Sequence, residues 1–197
     1  LASCQIMVNL LLNADRGGRF EVITPGVLTL LAIATILTPV IIRLGMEIRI
    51  GLTLVLISSP LILGDASGLG WTWWDRVASD GISEWVSRLL WNGTYPAVPW
   101  MFYILLGTLV YDLSDSRKTR ERIIAIGLIS TAVTFLISER EGVPWALTEG
   151  DAVLTFFPAS TSFLVVSGTF ALLVHRIMEG SESSGGEPWG GDSLSFL

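Results

Sequence analysis

The chain has 197 residues, 51% of them apolar and 15% charged, where a soluble domain carries roughly 25% charged residues. A mean hydropathy of +0.62 requires apolar runs long enough to cross a bilayer, at about 20 residues per helix, and excludes a water-soluble globule. Lys plus Arg number 12 against 18 Asp plus Glu, a net charge of -6, the wrong sign for holding nucleic acid by its phosphates. One cysteine, Cys4, and one histidine, His175, exclude an intrachain disulfide and a four-ligand zinc site, so no metal is expected.

Residues 6–12 form an apolar run too short to span, read as the end of a helix whose earlier part precedes Leu1. Leu1-Ala2-Ser3-Cys4 has the letters of a lipoprotein cleavage box, but no apolar signal segment stands before it. Residues 22–42 carry no charge and make the first full span. Pro25 sits near its start, and Pro39 should kink or end it about one turn early. Residues 50–64, 96–113, 123–138 and 154–174 supply four more spans. The expectation is an all-α integral membrane helical bundle of about five full transmembrane helices plus a truncated N-terminal one. Residues 1–178 form the transmembrane domain, a fragment of a larger one. The Gly, Ser and acid-rich tail 179–197 should be disordered.

Alternate connectors differ in basic residues. Arg43, Arg49, Arg117, Lys118, Arg120, Arg122 and Arg176 fall on one side, and Arg16, Arg19, Arg76, Arg88 and Arg140 on the other. The first set occupies shorter connectors, which places loops 43–49 and 114–122 in the cytoplasm of a multi-pass plasma-membrane protein. The long outer connector holds Trp71, Trp73, Trp74, Trp85 and Trp91. There Trp74, Val77, Ala78, Ile82, Trp85 and Leu89 recur at helical spacing, opposite Asp75, Arg76, Asp80, Ser83, Ser87 and Arg88, which predicts one helix lying along the surface. Asp112 ends the third span within reach of Arg117, and His175 ends the last one beside Arg176. Asn92-Gly93-Thr94 is an N-glycosylation sequon on the outer side. Gly107 reads as a point of close helix approach.

Two spans open on prolines and aromatic rings, Tyr95-Pro96-Ala97-Val98-Pro99-Trp100 and Phe156-Phe157-Pro158-Ala159-Ser160-Thr161. Such irregular starts are tolerated in a membrane against protein or a wet cavity, and two of them facing each other would frame an outer pocket. The Pro-x-x-Pro-Trp start before Leu105-Leu106-Gly107, the later Phe-Pro-x-Ser start, Gly26-Val27-Leu28 after Leu10-Leu11-Leu12-Asn13, and Asp75-Arg76 between them recur in a set order. In that set, across residues 6–178, the chain resembles prokaryotic relatives of heparan-alpha-glucosaminide N-acetyltransferase. It has Thr29-Leu30 where relatives often carry Gln-Arg.

The resemblance implies a membrane acyltransferase moving an acyl group, such as acetyl, from cytoplasmic acyl-CoA (acetyl-CoA) to an extracytoplasmic saccharide. The family's catalytic histidine is expected upstream of Leu1, so the catalytic residues are unknown and the role is not transferred to His175. Asp75, Trp100 and Ser160 are candidates for substrate contact, and Arg117, Lys118 and Arg120 for the coenzyme A phosphates. Expected partners are the lipid bilayer and the saccharide acceptor, with no nucleic acid; a homo-oligomer is left open. A small-solute permease and a non-catalytic scaffold are the rival readings.

Overall fold

The computed structural model describes residues 1–13, 15, 17–113 and 116–183, and the tail 184–197 lies outside the described residues. Helices α1 (Ala2–Leu11) and α2 (Val27–Ile41) are short, apolar and packed together. Gln5 joins them. Its side-chain oxygen accepts from the Leu28 N–H at 3.0 Å, a first-turn donor with no partner inside its own helix, and its amide donates to Asn9 at 2.8 Å. The Asn9 amide then donates to the carbonyls of Val22 (3.1 Å) and Thr24 (2.8 Å).

This is why α2 starts at Val27 and not at residue 22. Pro25 steers Thr24 away from helical angles, and the Thr24 hydroxyl, accepting from the Glu21 N–H, donates to the Val77 carbonyl at 3.0 Å. Pro39 falls in the last turn and the helix stops at Ile41, so α2 has 15 residues, too few to span alone.

Four helical segments are long and apolar enough to cross a membrane, Met46–Ser67, Ile82–Asp112, Arg117–Glu141 and Thr161–Glu179. The first is α3 (Met46–Leu63) with a 3-10 turn, Gly64–Ser67. The outer connector then forms α4 (Trp73–Val77) and α5 (Ile82–Ser87), the latter running into a π turn, Arg88–Asn92. The single surface helix expected here is broken at 78–81, where Gly81 takes φ 119, a left-handed region that favours glycine. Helices α6 (Ala97–Trp100) and α7 (Phe102–Asp112) complete the second segment, and α8 (Arg117–Glu141) is the third. Two-residue strands β1 (Ala146–Leu147) and β2 (Leu154–Thr155) pair in parallel. The last helix, α9 (Thr161–Ser183), therefore begins seven residues later than the expected span, and it carries Glu179 inside it.

Polarity is inverted relative to a soluble domain. On α3, Arg49, Thr53 and Ser59 are buried while Leu61 and Ile62 are 75% and 72% exposed. On α8, Ser138 is buried and Ile126, Ile129 and Leu136 face outward. Helices α3, α7 and α9 pack on one another, and α8 packs along α9.

Close approach falls at glycines other than the expected Gly107, where a Cβ would meet nothing within 4 Å. At Gly127 on α8 it would lie 2.1 Å from Thr169 Oγ1, and at Gly168 on α9 it would lie 2.8 Å from the Phe102 ring. Gly107→Ala should therefore raise stability by up to about 1 kcal/mol through helix propensity, and Gly127→Ala should lower it by about 1–3 kcal/mol through overpacking. Thermal unfolding of the two variants in detergent checks the opposite signs.

Candidate functional site

The two proline-broken starts do face each other, and aromatic rings fill the space between them. Pro99 and Trp100 come from α6, Phe156 to Pro158 from the turn before α9. The Trp100 ring lies 4.8 Å from Phe156, 5.6 Å from Tyr95, 5.8 Å from Tyr103 and 6.1 Å from Phe163, centroid to centroid. The Tyr103 hydroxyl shares a 2.6 Å hydrogen bond with Ser167 on α9. Phe156 stacks edge-on to Phe157 at 4.5 Å, and Phe157 to Trp73 on α4 at 5.5 Å. These distances suit edge-to-face pairs. Trp73 is anchored in turn by its indole N–H, which donates to the Arg19 carbonyl at 2.7 Å.

Of Asp75, Trp100 and Ser160, Trp100 is the one that belongs to this belt. Asp75 sits two residues from Trp73, fully exposed on α4. Its carboxylate accepts from the Thr72 hydroxyl and the Thr72 N–H, each at 2.8 Å, closing the first turn of that helix. Those two bonds hold its carboxyl below the usual carboxylate range. Trp100 is half-buried, and its indole N–H donates to no group among the described residues. The Ser160 hydroxyl is committed to the chain. It accepts from the N–H of Phe163 (3.1 Å) and of Thr155 (3.2 Å) and donates to the Val153 carbonyl at 3.3 Å. It starts α9 by capping it.

Two arginines expected on the solvent arc of a surface helix are buried instead, Arg76 at 1% and Arg88 at 8% exposure. Arg76 donates to the carbonyls of Ser67 (3.3 Å) and Gly68 (2.5 Å), and its Nε–H has no acceptor among the described residues. Burial pushes its pKa down to about 10, so the guanidinium stays charged at neutral pH. Gly68 takes φ 81, and a Cβ there would strike the Trp71 ring at 2.9 Å; only glycine allows this approach. Arg88 lies over the Trp71 ring at 4.5 Å, a cation–π contact, and donates to Ala78 O and to Asn92 Oδ1, each at 3.0 Å. Asn92 is 6% exposed and Thr94 fully buried, so the sequon is closed to a glycan in this fold. The signal for Arg76 was the glycine-rich turn 64–70, whose carbonyls at Ser67 and Gly68 it reaches.

Arg117, Lys118 and Arg120 lie at the other end, where α7 and α9 finish and α8 begins. Arg117 and Lys118 are exposed, Arg117 with Glu121 at 2.7 Å. Arg120 is largely buried and ion-paired with Glu179 on α9. Asp112 does not pair with Arg117. Its partner is the buried Arg49 of α3, whose remaining donors reach Leu44 O (3.2 Å) and Thr108 O (3.3 Å). His175 Nδ1 lies 3.6 Å from Glu179 at this same end. Among the described residues no group of three His, Cys, Asp or Glu side chains could hold a metal.

Residues 19–138 match the family described as heparan-alpha-glucosaminide N-acetyltransferase, catalytic. No curated protein and no solved structure is found to match. The low Asp75 pKa sets a pH test: a depressed folded pKa gives stabilisation that is complete above the unfolded value of 3.8 and is lost as pH falls through the folded one. The Thr72 amide should stay protected from hydrogen exchange at pH 5 in the unaltered protein and be unprotected at the same pH in Asp75→Ala.

Proposed function

The chain belongs to the heparan-alpha-glucosaminide N-acetyltransferase catalytic family, and on that premise we propose that it moves an acyl group, acetyl in the first instance, from acyl-CoA at its basic end to a saccharide at its aromatic end. Family membership and four membrane-length segments make it an integral membrane protein of acetyltransferase type. The observation that carries the finer reading is the separation of the two sets of residues. Helix α7 alone, with 11 residues and ~1.5 Å of rise each, stands between Trp100 and the basic end.

At the basic end, exposed Arg117 and Lys118 offer donors to the phosphates of coenzyme A, and Arg120 adds its charge from behind. The excess of cations there over Glu121 and Glu179 suits a cytoplasmic face. At the aromatic end, the Trp100 ring and its free indole N–H suit a sugar, whose C–H face stacks on rings while its hydroxyls take hydrogen bonds. Asp75, ionised, accepts from such hydroxyls. Ser160 supports them by holding the start of α9 against the same rings.

In the reaction a bond forms from the acceptor oxygen or nitrogen to the acyl carbon and the carbon–sulfur bond breaks. The proton lost by the acceptor ends on the coenzyme A sulfur. We assign no base among these residues; His175 stands at the end away from the sugar.

Two measurements test this reading. In sealed vesicles or cells, a cysteine placed at Ser83 should react with an impermeant maleimide and one at Thr119 should not, in a Cys4→Ser background; the reverse pattern removes the orientation. With acyl transfer followed in vesicles, the double variant Arg117→Gln, Lys118→Gln should raise KM for acyl-CoA by about tenfold or more, as loss of two charge-assisted contacts would, and leave kcat near its original value. An unchanged KM removes the phosphate contacts.

A further inference from the structure

A groove of about 480 Å³ runs along the basic half of the bundle between α3 and α8, floored by α7 and α9. Its wall on α8 extends from Thr119 to Ser130, ~16 Å at the rise of a helix. That is the depth of one leaflet, about half of a ~30 Å hydrocarbon core. Phe102 and Ile57 close the deep end. The rim opens sideways, since Leu54 and Ile126 are 59% and 65% exposed, and for an integral membrane protein the surroundings at that level are acyl chains.

The lining suits a hydrocarbon chain and little else. Two of its four hydroxyls are committed within their own helices, Thr53 to Arg49 O and Thr169 to Val165 O, both at 2.7 Å, which leaves Thr119 and Ser130 as the few partners for a buried amide or sugar. The mouth has the opposite character. Arg120, in the first turn of α8, lines the groove there, ion-paired on one side to Glu179 and with no acceptor for its Nε–H among the described residues. Arg117 and Arg176 stand nearby, both against Glu121, and the positive end of the α8 dipole points the same way.

We infer that the groove seats one acyl chain of an anionic phospholipid, the chain lying between α3 and α8 as far as Phe102 and the phosphate meeting Arg120. Length fixes the chain to one leaflet, and charge fixes the class of headgroup. The groove shares Arg120 with the proposed coenzyme A contacts, but the lipid is a resident of the groove and neither donor nor acceptor.

Purified protein in mild detergent, offered phosphatidylglycerol and phosphatidylcholine in equal amounts, provides the test, with retained lipid counted by native mass spectrometry. The unaltered protein should keep one phosphatidylglycerol in preference to phosphatidylcholine by about fivefold, the size of one basic contact. Arg120→Gln should remove the preference. Ile126→Trp, which fills the groove from its lipid side, should abolish retention, and Leu136→Trp, equally exposed on the same helix beyond the groove, should keep it. Equal retention of both lipids by the unaltered protein, or full retention in Ile126→Trp, overturns the inference. Displacement of the lipid by equimolar coenzyme A overturns it in favour of a donor pocket. Disulfide-linked dimers of Ile126→Cys, formed in vesicles in a Cys4→Ser background, overturn it in favour of an interface between two copies.

Discussion

Arg49 and Asp112 hold one another across α3 and α7 at the basic end of the bundle, the arginine buried and the carboxylate at its edge. Hydrocarbon supplies no hydrogen bonds, so each polar group at membrane depth must be satisfied from within. Buried polar groups elsewhere are paired in the same way: the Leu28 N–H of α2 donates to Gln5 Oε1 on α1, and the Thr24 hydroxyl donates to Val77 O. In each case the bond joins separate elements, so the requirement that polar groups be paired becomes the means by which helices are held in register. Some apolar side chains, such as Phe102, Leu105 and Leu164, pack between the helices, while others, such as Leu61, Ile62 and Ile126, are left outside.

The outer end follows the same rule by other means. Arg76 and Arg88 reach mostly backbone carbonyls and an amide, and between them lies the face of Trp71. The glycine-rich turn that supplies the carbonyls can come this close because Gly68 has no side chain. A stiff base results, and on it the ring system from Phe20 to Phe163 connects α4, α6, α7 and the start of α9. Trp100 sits in this belt, while Arg117, Lys118 and Arg120 sit beyond the far end of α7.

Hydropathy made the bundle legible because long uncharged runs have few other solutions, and the aromatic, proline-broken starts made one end of the site legible. What escaped was decided by tertiary bonds. Residues 22–25 and 154–160 are apolar enough for a span, yet Pro25 with the Thr24 hydroxyl, and Pro158 with the Ser160 cap, hold them out of helix. The periodicity of the outer connector was real, but Gly81 breaks it, and Arg76 and Arg88 turn inward because the carbonyls of 64–78 need donors. Nothing in spacing distinguishes Gly107 from Gly127; only the neighbour, Thr169, does.

Helix α8 carries a further consequence. It is 25 residues long, but between Arg122 and Arg140 its uncharged stretch, residues 123–138, rises only ~24 Å, less than the ~30 Å of an average hydrocarbon core. Such a mismatch is met by arginines reaching up to the headgroups and by a membrane that thins beside the helix. A bilayer that accommodates α8 is therefore thinner beside that helix than its average, or is met by Arg122 and Arg140 extending toward the headgroups.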